Sequence, residues 1–287
     1  MTAVTSLKTL KTKAISWLGA TGPGREALEW WIHRQTAIYV LSYPKCGRTW
    51  LRLMIGKALD EHYQLHAKNP MELGRMHALH RAIPRIRVTH EHAHKAATIE
   101  GGKQRFRDKT VVFLVRDPRD VVVSMFFEAS RRTDRFAGTI GEFIRQDVGG
   151  LDAILDYYNV WAEAARVPRT FHLVRYEDLH RAPGPVLAGV LAAMQLPVSP
   201  AAIDAAIGFS KFDNMRKLET ENAFGSDRLR PANAGDAESF KTRKGKIGGY
   251  REYLTAADLA YVHARIAARL SPAYPAYQHA DAPEARA

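Results

Sequence analysis

The sequence predicts an α/β fold: a single domain with a central, mostly parallel sheet flanked by helices. Three observations carry that expectation. Short runs rich in β-branched and aromatic residues recur at 36–43 ("TAIYVLSY"), 85–90 ("RIRVTH"), 110–117 ("TVVFLVRD") and within 169–179 ("RTFHLVRYEDL"). Helix-spaced apolar stretches lie between them, and such alternation favours parallel strands joined by crossovers. No repeat or low-complexity linker interrupts the pattern, and 287 residues at 46% hydrophobic can bury one large core.

Taken in order, 6–18 places Leu7, Leu10, Ala14, Ile15, Trp17 and Leu18 on one helical face with lysines opposite. A helix packed on the protein surface is the favoured reading; weak contact with a membrane surface is the alternative. "TGPG" at 21–24 breaks the helix, and 25–34 resumes it. The first strand, 36–43, leads through a short loop into a helix over 50–62, where Leu51, Met54, Ile55 and Ala58 share a face and Thr49 suits the N-cap. Helices follow at 118–130, 141–147 and 151–166, and Ala-rich helices at 186–195 and 200–207. Asp117 is placed to cap the helix that opens at Pro118. The polar, Gly- and Asn-containing stretch 220–242 reads as a mobile loop. A last helix follows Thr255, whose spacing to Asp258 fits a capping box. The organisation expected is a helical extension over 1–35, one domain over 36–272 and a tail over 273–287.

The net charge of +12 points to acidic partners. The basic residues are dispersed, with no helix-turn-helix, zinc-finger or RNA-binding signature, so no nucleic-acid partner is expected. No run of about 18 uncharged apolar residues is present, so no membrane-spanning helix is expected. Lys8, Lys11 and Lys13 spoil a secretory signal, and the one cysteine, Cys46, suits a reducing compartment. The cytoplasm is the expected location. Oligomeric state is not legible.

The chemistry concentrates in three places. In "SYPKCGRT" an apolar strand ends at a turn marked by Pro44 and Gly47 and gives way to an apolar helix. A loop of this kind aims backbone N–H groups, the positive helix end and two cations, Lys45 and Arg48, at one point, which suits a phosphate. It nearly fits G-x-x-x-x-G-K-[ST], with Ser42 for the first Gly and Arg48 for the Lys. In "VVFLVRDPRDVVVS" (111–124), a nucleotide kinase would carry a metal-binding Asp directly after the strand; here Arg116 comes first. Ser124 lies about two turns into the following helix, and Arg with a hydroxyl can clamp a terminal phosphate. A surface Arg116 paired with Asp120 is the plainer reading. In "FKTRKGKIGGY" (240–250), Arg243, Lys244 and Lys246 flank Gly245, so cations and free N–H groups can meet one anion.

These three motifs together resemble the sulfotransferases that use 3′-phosphoadenylyl sulfate (PAPS). "YPKCGRTW" matches the family's Y-P-K-S-G-T-x-W, "RDPRDVVVS" its R-D-P-x-D-x-x-x-S, and "RKGKIG" its R-K-G-x-x-G, in order over about 36–255. The resemblance implies a P-loop-like phosphosulfate-binding loop of Lys45, Cys46, Gly47, Arg48 and Thr49, in which Lys45 polarises the oxygen bridging sulfur and the 5′-phosphate. It implies that Trp50 stacks on the adenine near Tyr176 of "RYEDL", with Ser210 and Met215 of "SKFDNM" beside it. It assigns the 3′-phosphate to Arg116, Ser124, Arg243, Lys244 and Gly245, and the catalytic base to His90 of "VTH", where the family has K-T-H. Val88 therefore stands where the family often has Lys, Cys46 replaces a Ser, Arg48 a Thr, and Gly249–Tyr250 an Asp–Trp pair.

The chemistry wants a histidine there, because an acceptor hydroxyl is a poor nucleophile at neutral pH and imidazole can take its proton. "HEHAH" (90–94) also allows a zinc site through alternating histidines. The reading favoured is in-line sulfuryl transfer from PAPS without a metal, assisted by His90 and Lys45, to an acceptor hydroxyl or amine. A P-loop phosphotransferase using ATP and Mg²⁺ is the alternative, and a basic adapter without turnover the third. Acceptor walls are expected from 62–84, 126–150 and 220–240; read as aromatic-poor and basic, they favour a sugar, peptide or acidic metabolite. Between Lys45 and Arg48 at a helix start, Cys46 is expected to favour thiolate and react with alkylating agents.

Overall fold

The computed structural model describes residues 22–91, 103–224, 240, 242 and 245–279. Residues 1–37 and 38–287 form two compact units. In the first, helix α1 spans Gly22–Gln35. It begins inside the "TGPG" expected to break the preceding helix, three residues before the predicted start, since a proline in the first turn removes an N–H that has no intrahelical acceptor anyway. The helix expected over 6–18 lies outside the described residues.

The second unit is the α/β body. Strands β1 (Ile38–Ser42), β2 (Ile86–Thr89), β3 (Thr110–Val115) and β4 (Thr170–Arg175) form a parallel sheet in the order β2-β1-β3-β4. The two inner strands, β1 and β3, are buried along their whole length. That is why they read as unbroken apolar runs: in a parallel sheet with helices on both faces no residue of an inner strand meets water. The register levels the strand ends. Leu41 lies opposite Thr89, Ser42 opposite Leu114, and Val115 opposite Arg175, so the chain leaves all four strands along one edge. In open parallel sheets that carboxyl edge is where ligands bind.

Helices α2 (Arg48–Tyr63) and α3 (Leu73–Met76) follow β1. The predicted face of α2 is buried as expected through Leu51, Met54, Ile55 and Ala58, with Leu53 and Leu59 added. Its start is different: the N-cap is Gly47 in the left-handed region, and Thr49 already lies inside the helix. The tight loop needs a residue at φ +91° to turn into the helix, so the glycine takes the cap and no side chain does.

After β3, α4 (Pro118–Phe127) is capped as expected, Asp117 Oδ1 accepting from the Arg119 N–H at 2.9 Å. It runs into a π-turn, Glu128–Arg132. The helix expected over 141–147 shortens to α5 (Ile140–Phe143), closed by a Thr139–Glu142 capping box. Helix α6 (Leu151–Glu163) drives Trp161, Tyr157 and Tyr158 against Phe113 of β3. After β4 come α7 (Tyr176–Arg181), α8 (Pro183–Ala193), α9 (Pro200–Phe209) and α10 (Phe212–Thr220). Helix α10 opens just before the stretch read as a loop, whose residues 225–239 are not among those described. Helix α11 (Ala256–Arg269) begins at its predicted cap, where the Thr255 hydroxyl accepts from the Asp258 N–H and donates to Asp258 Oδ2. Helix α12 (Pro275–Gln278) follows.

Candidate active site

The β1–α2 loop is held in an unusual backbone shape. Lys45 has φ +70° and Gly47 φ +91°. A non-glycine residue there costs roughly 1–3 kcal/mol, strain of a kind that gathers at ligand-binding loops. At Gly47 a Cβ would stand 2.5 Å from Tyr176 Cδ2, so the tyrosine ring of α7 lies directly against the loop. Lys45 Nζ donates to Glu128 Oε2 at 2.7 Å, and Arg132 Nη1 holds the same carboxylate at 3.2 Å. Burial pulls the Lys45 ammonium below the ordinary lysine range, and the charge of Glu128 resists that pull.

Cys46 does not behave as expected. Its side chain is fully buried, and its thiol lies 3.3 Å from the Tyr158 hydroxyl. Burial pushes the thiol up to about 12, outweighing the hydrogen bond to Tyr158 and the nearby Arg116. A cation near a thiol favours thiolate only if water or a close ion pair supports the charge, and the side chain here turns into the core instead. The residue is left with its backbone to offer a ligand.

His90 follows β2 directly and faces the end of β1. Its Nδ1 lies 2.9 Å from the Ser42 carbonyl oxygen, and its Nε2 lies 2.6 Å from Arg48 Nη2. A carbonyl only accepts and a guanidinium only donates, so Nδ1 carries the proton and Nε2 the lone pair. The next residue, Glu91, has φ +44° and is buried. Its carboxylate accepts from both Lys103 Nζ and Arg105 Nη2, and Lys103 also lies over the Trp161 ring at 4.9 Å. The residue after the base candidate is thus anchored by two cations, the buried Lys103 and the exposed Arg105. His92 and His94, the further members of the zinc reading, lie outside the described residues. Among the described residues no group of three His, Cys, Asp or Glu side chains could hold a metal ion.

Arg116 leaves β3 level with Tyr176 leaving β4, and its guanidinium lies over that ring at 4.4 Å. Arg116 Nη2 donates to the Lys246 carbonyl at 2.8 Å and lies 3.4 Å from Asp120 Oδ2. The plainer reading therefore holds for the partner and fails for the surface: the Arg116 side chain is 12% exposed and that of Asp120 3%. Asp120 also accepts from the Gly248 and Tyr250 N–H groups, at 2.9 and 3.0 Å. Burial raises its carboxyl, and Arg116 opposes the rise. Tyr158 completes the frame, its hydroxyl accepting from the Arg116 N–H at 2.9 Å and donating to the Arg116 carbonyl at 2.7 Å. Ser124 is buried in α4. Gly245, at φ +61° with no room for a Cβ against Phe212, brings its carbonyl 3.3 Å from the Tyr176 hydroxyl. Arg243 and Lys244 lie outside the described residues.

Trp50, in the first turn of α2, meets Tyr176 edge-on at 5.8 Å, and its indole N–H donates to the Ser210 carbonyl at 2.8 Å. Met215 packs with Leu53 and Met71 in a small cluster against which Trp50 rests. The structure thus brings Gly47, Trp50, Arg116, Tyr176, Ser210, Met215 and Gly245 into one connected wall, with Lys45, Arg48 and His90 at its other side. Two buried polar atoms on that wall, Arg116 Nε and Ser210 Oγ, have no hydrogen-bond partner among the described residues. Buried polar atoms are normally paired, so these fit a polar ligand such as an adenosine phosphate. Asp120 was legible from sequence as the partner of Arg116, whereas Glu128 and Tyr158 were not singled out, because their roles depend on contacts across 42 to 112 residues.

The model of the sulfotransferase domain family matches residues 35–272. The chain belongs to the sulfotransferase family. As a sulfotransferase it is an enzyme of sulfuryl transfer. Cytosolic sulfotransferase 4 of Arabidopsis thaliana is 22% identical over 232 residues, 77% of this chain and 69% of that one. Sulfotransferase 1B1 of Mus musculus is 22% identical over 234 residues, 76% and 77% of the two chains. The solved structure of a mouse sulfotransferase complexed with PAP superposes with TM-score 0.59 at 21% identity, over 82% of this sulfotransferase and 85% of that one. Retinol dehydratase, solved with androsterone and PAP, gives TM-score 0.58 at 18% identity, over 83% and 82%. These likenesses establish the fold.

Proposed function

We propose that this sulfotransferase takes its sulfuryl group from PAPS and passes it to the hydroxyl of a small molecule, with His90 as general base. The observation that carries the reading is the His90 tautomer. The Nδ1–H is committed to the Ser42 carbonyl, which makes Nε2, held at 2.6 Å by Arg48 Nη2, the basic atom of the ring. Support for PAPS comes from the PAP in the two solved relatives, and from the unsatisfied Arg116 Nε and Ser210 Oγ on one wall.

In this reading the donor supplies a sulfuryl group on an oxygen shared with its 5′-phosphate. Lys45, Gly47, Arg48 and Thr49 hold that phosphate at the start of α2, where the helix dipole and free N–H groups favour an anion. Lys45 exchanges Glu128 for the bridging oxygen and stabilises the charge that gathers there as the bond to sulfur breaks. Arg116, Ser124, Gly245 and the neighbouring Arg243 and Lys244 bind the 3′-phosphate. Trp50 and Tyr176 flank the adenine. His90 aligns the acceptor hydroxyl and takes its proton. The long, buried Arg116 in place of an aspartate after β3 separates this site from that of a metal-dependent phosphotransferase. No helix among the described residues is long and apolar enough to cross a membrane, and the relatives named cytosolic support a cytoplasmic enzyme.

For the acceptor, the wall over 126–150 is less polar than its arginines suggest. Phe126, Phe136 and Phe143 pack on one another at 5.1–6.2 Å, with Phe127 joining Phe126 to Tyr253. A small molecule with an apolar body fits this wall better than a sugar or an acidic metabolite. The deciding experiment is turnover of PAPS with a panel of phenols, alcohols and sugars in excess EDTA. His90→Ala should lower kcat by about 10²–10⁴-fold while PAP affinity stays near wild type. Mg²⁺-dependent ATP turnover, or an unimpaired His90→Ala, would refute the assignment.

A further inference from the structure

The sequence departs from its family where a Thr would be Arg48, and the structure puts that guanidinium on the proposed base. The contact is short, 2.6 Å from Arg48 Nη2 to His90 Nε2, and it uses the one lone pair the imidazole has, since Nδ1–H is spent on Ser42. In this arrangement an acceptor hydroxyl has no atom of His90 to which it can give a proton. A second cation of the same loop is engaged in the same way: Lys45, three residues earlier, is held by Glu128. Both cations that the loop would turn on an anionic donor therefore rest on protein partners.

The two holds differ in strength. Lys45 meets a carboxylate, with charge on both sides. The contact of Arg48 with His90 is to a neutral imidazole, with charge on one side, and a hydrogen bond between two ions is stronger than one with a single charged member. A donor that brings a phosphate and a sulfuryl group to the first turn of α2 outcompetes the imidazole for the guanidinium. Arg48 is the first residue of that helix, so its side chain springs from the anion-binding end.

We infer that Arg48 is a donor-operated gate on His90: it caps Nε2 in the free protein and moves to the donor's anionic groups on binding, which frees the base. The inference rests on the reading of His90 as general base. Its consequence is an order of events, because the acceptor can engage a working base only after the donor has arrived. The same movement delivers a second cation to the sulfuryl centre of a chain that has Val88 where its family often has lysine.

The test is the ¹⁵N resonance of His90 Nε2 in the full-length, imidazole-labelled protein, assigned by its loss in His90→Gln. Wild type without donor should show Nε2 as a hydrogen-bonded acceptor, displaced from its position in Arg48→Ala. Saturating PAPS, with saturation verified by calorimetry, should carry the wild-type resonance most of the way to the Arg48→Ala position. Arg48→Gln, which keeps an N–H donor without the charge, should respond much less; if Arg48→Ala does not fold, it also serves as the reference for a weakened cap. Coincident resonances in wild type and Arg48→Ala before donor, or a wild-type resonance unmoved at saturation, would overturn the gate. Failure of the underlying base reading is separately visible: His90→Gln would then turn over PAPS at the wild-type rate, whatever the resonance does.

Discussion

Replacing Arg116 by alanine tests the nucleotide site and the fold at once, and the two effects can be separated. On the ligand side, the variant loses a charge-assisted contact to the 3′-phosphate, worth about 1.5–3 kcal/mol, or about 10–100-fold in the Kd for PAP. Binding of 5′-AMP, which has no 3′-phosphate, should hardly change. On the protein side, Asp120 stays buried without its countercharge but keeps the Gly248 and Tyr250 N–H groups. Breaking a buried pair costs up to 3–5 kcal/mol; with two backbone donors retained, about 3 kcal/mol is expected, a fall in Tm of about 6–12 °C. Burial already raises the Asp120 carboxyl in the presence of Arg116, and removing the cation raises it further. A carboxyl with a folded pKa above its unfolded value stabilises most below the unfolded value and loses that contribution as pH rises through the folded one. The stability gap between wild type and variant should therefore widen as pH climbs from about 4. Asp120→Asn in the Arg116→Ala background should remove that pH dependence and leave the loss of PAP affinity in place. Calorimetric titration with PAP and 5′-AMP, with melts over a pH series, reads all of this. Equal losses for the two nucleotides would refute the 3′-phosphate role.

Other substitutions address the loop itself. Cys46 should resist thiol reagents in the folded protein and react on unfolding, at a rate that mass spectrometry can follow; rapid alkylation of the native enzyme would contradict its burial against Tyr158. Gly47→Ala should destabilise by at least about 1–3 kcal/mol and weaken PAP binding, because the new Cβ meets the Tyr176 ring in a left-handed backbone; an unaffected melt would mean that the loop relaxes freely. Glu128→Gln keeps an acceptor oxygen for Lys45 but removes the negative charge that holds it and lies next to the donor, so PAP should bind several-fold tighter at low salt, on the order of 1 kcal/mol. Weaker binding would show instead that Glu128 aims the lysine.

Much of this site was legible because its parts are local. A strand, a glycine turn and an apolar helix lie within twenty residues, and Asp117 caps α4 through a bond only two residues long. Thr49 misled because a good capping residue stood two positions past a glycine that the turn itself required. Cys46 misled because its charged neighbours in sequence point elsewhere in space, while the partner that matters, Tyr158, is 112 residues away. Helix α10 was missed since its apolar positions, Phe212, Met215 and Leu218, are few among charges, and it gains its stability from packing against α2. The π-turn at 128–132, which presents Glu128 to Lys45, has no signature in composition at all.

Asp120 has a consequence beyond its own bonds. One carboxylate receives the arginine assigned to the nucleotide and, on its two oxygens, the backbone N–H groups of Gly248 and Tyr250 in the late loop. Occupancy at Arg116 and order in that segment are therefore thermodynamically linked: whatever holds the guanidinium still also holds the carboxylate, and through it the late loop. Amide exchange at 248–250 thus becomes a reporter of nucleotide occupancy, with protection there rising with donor concentration although no donor atom touches those amides.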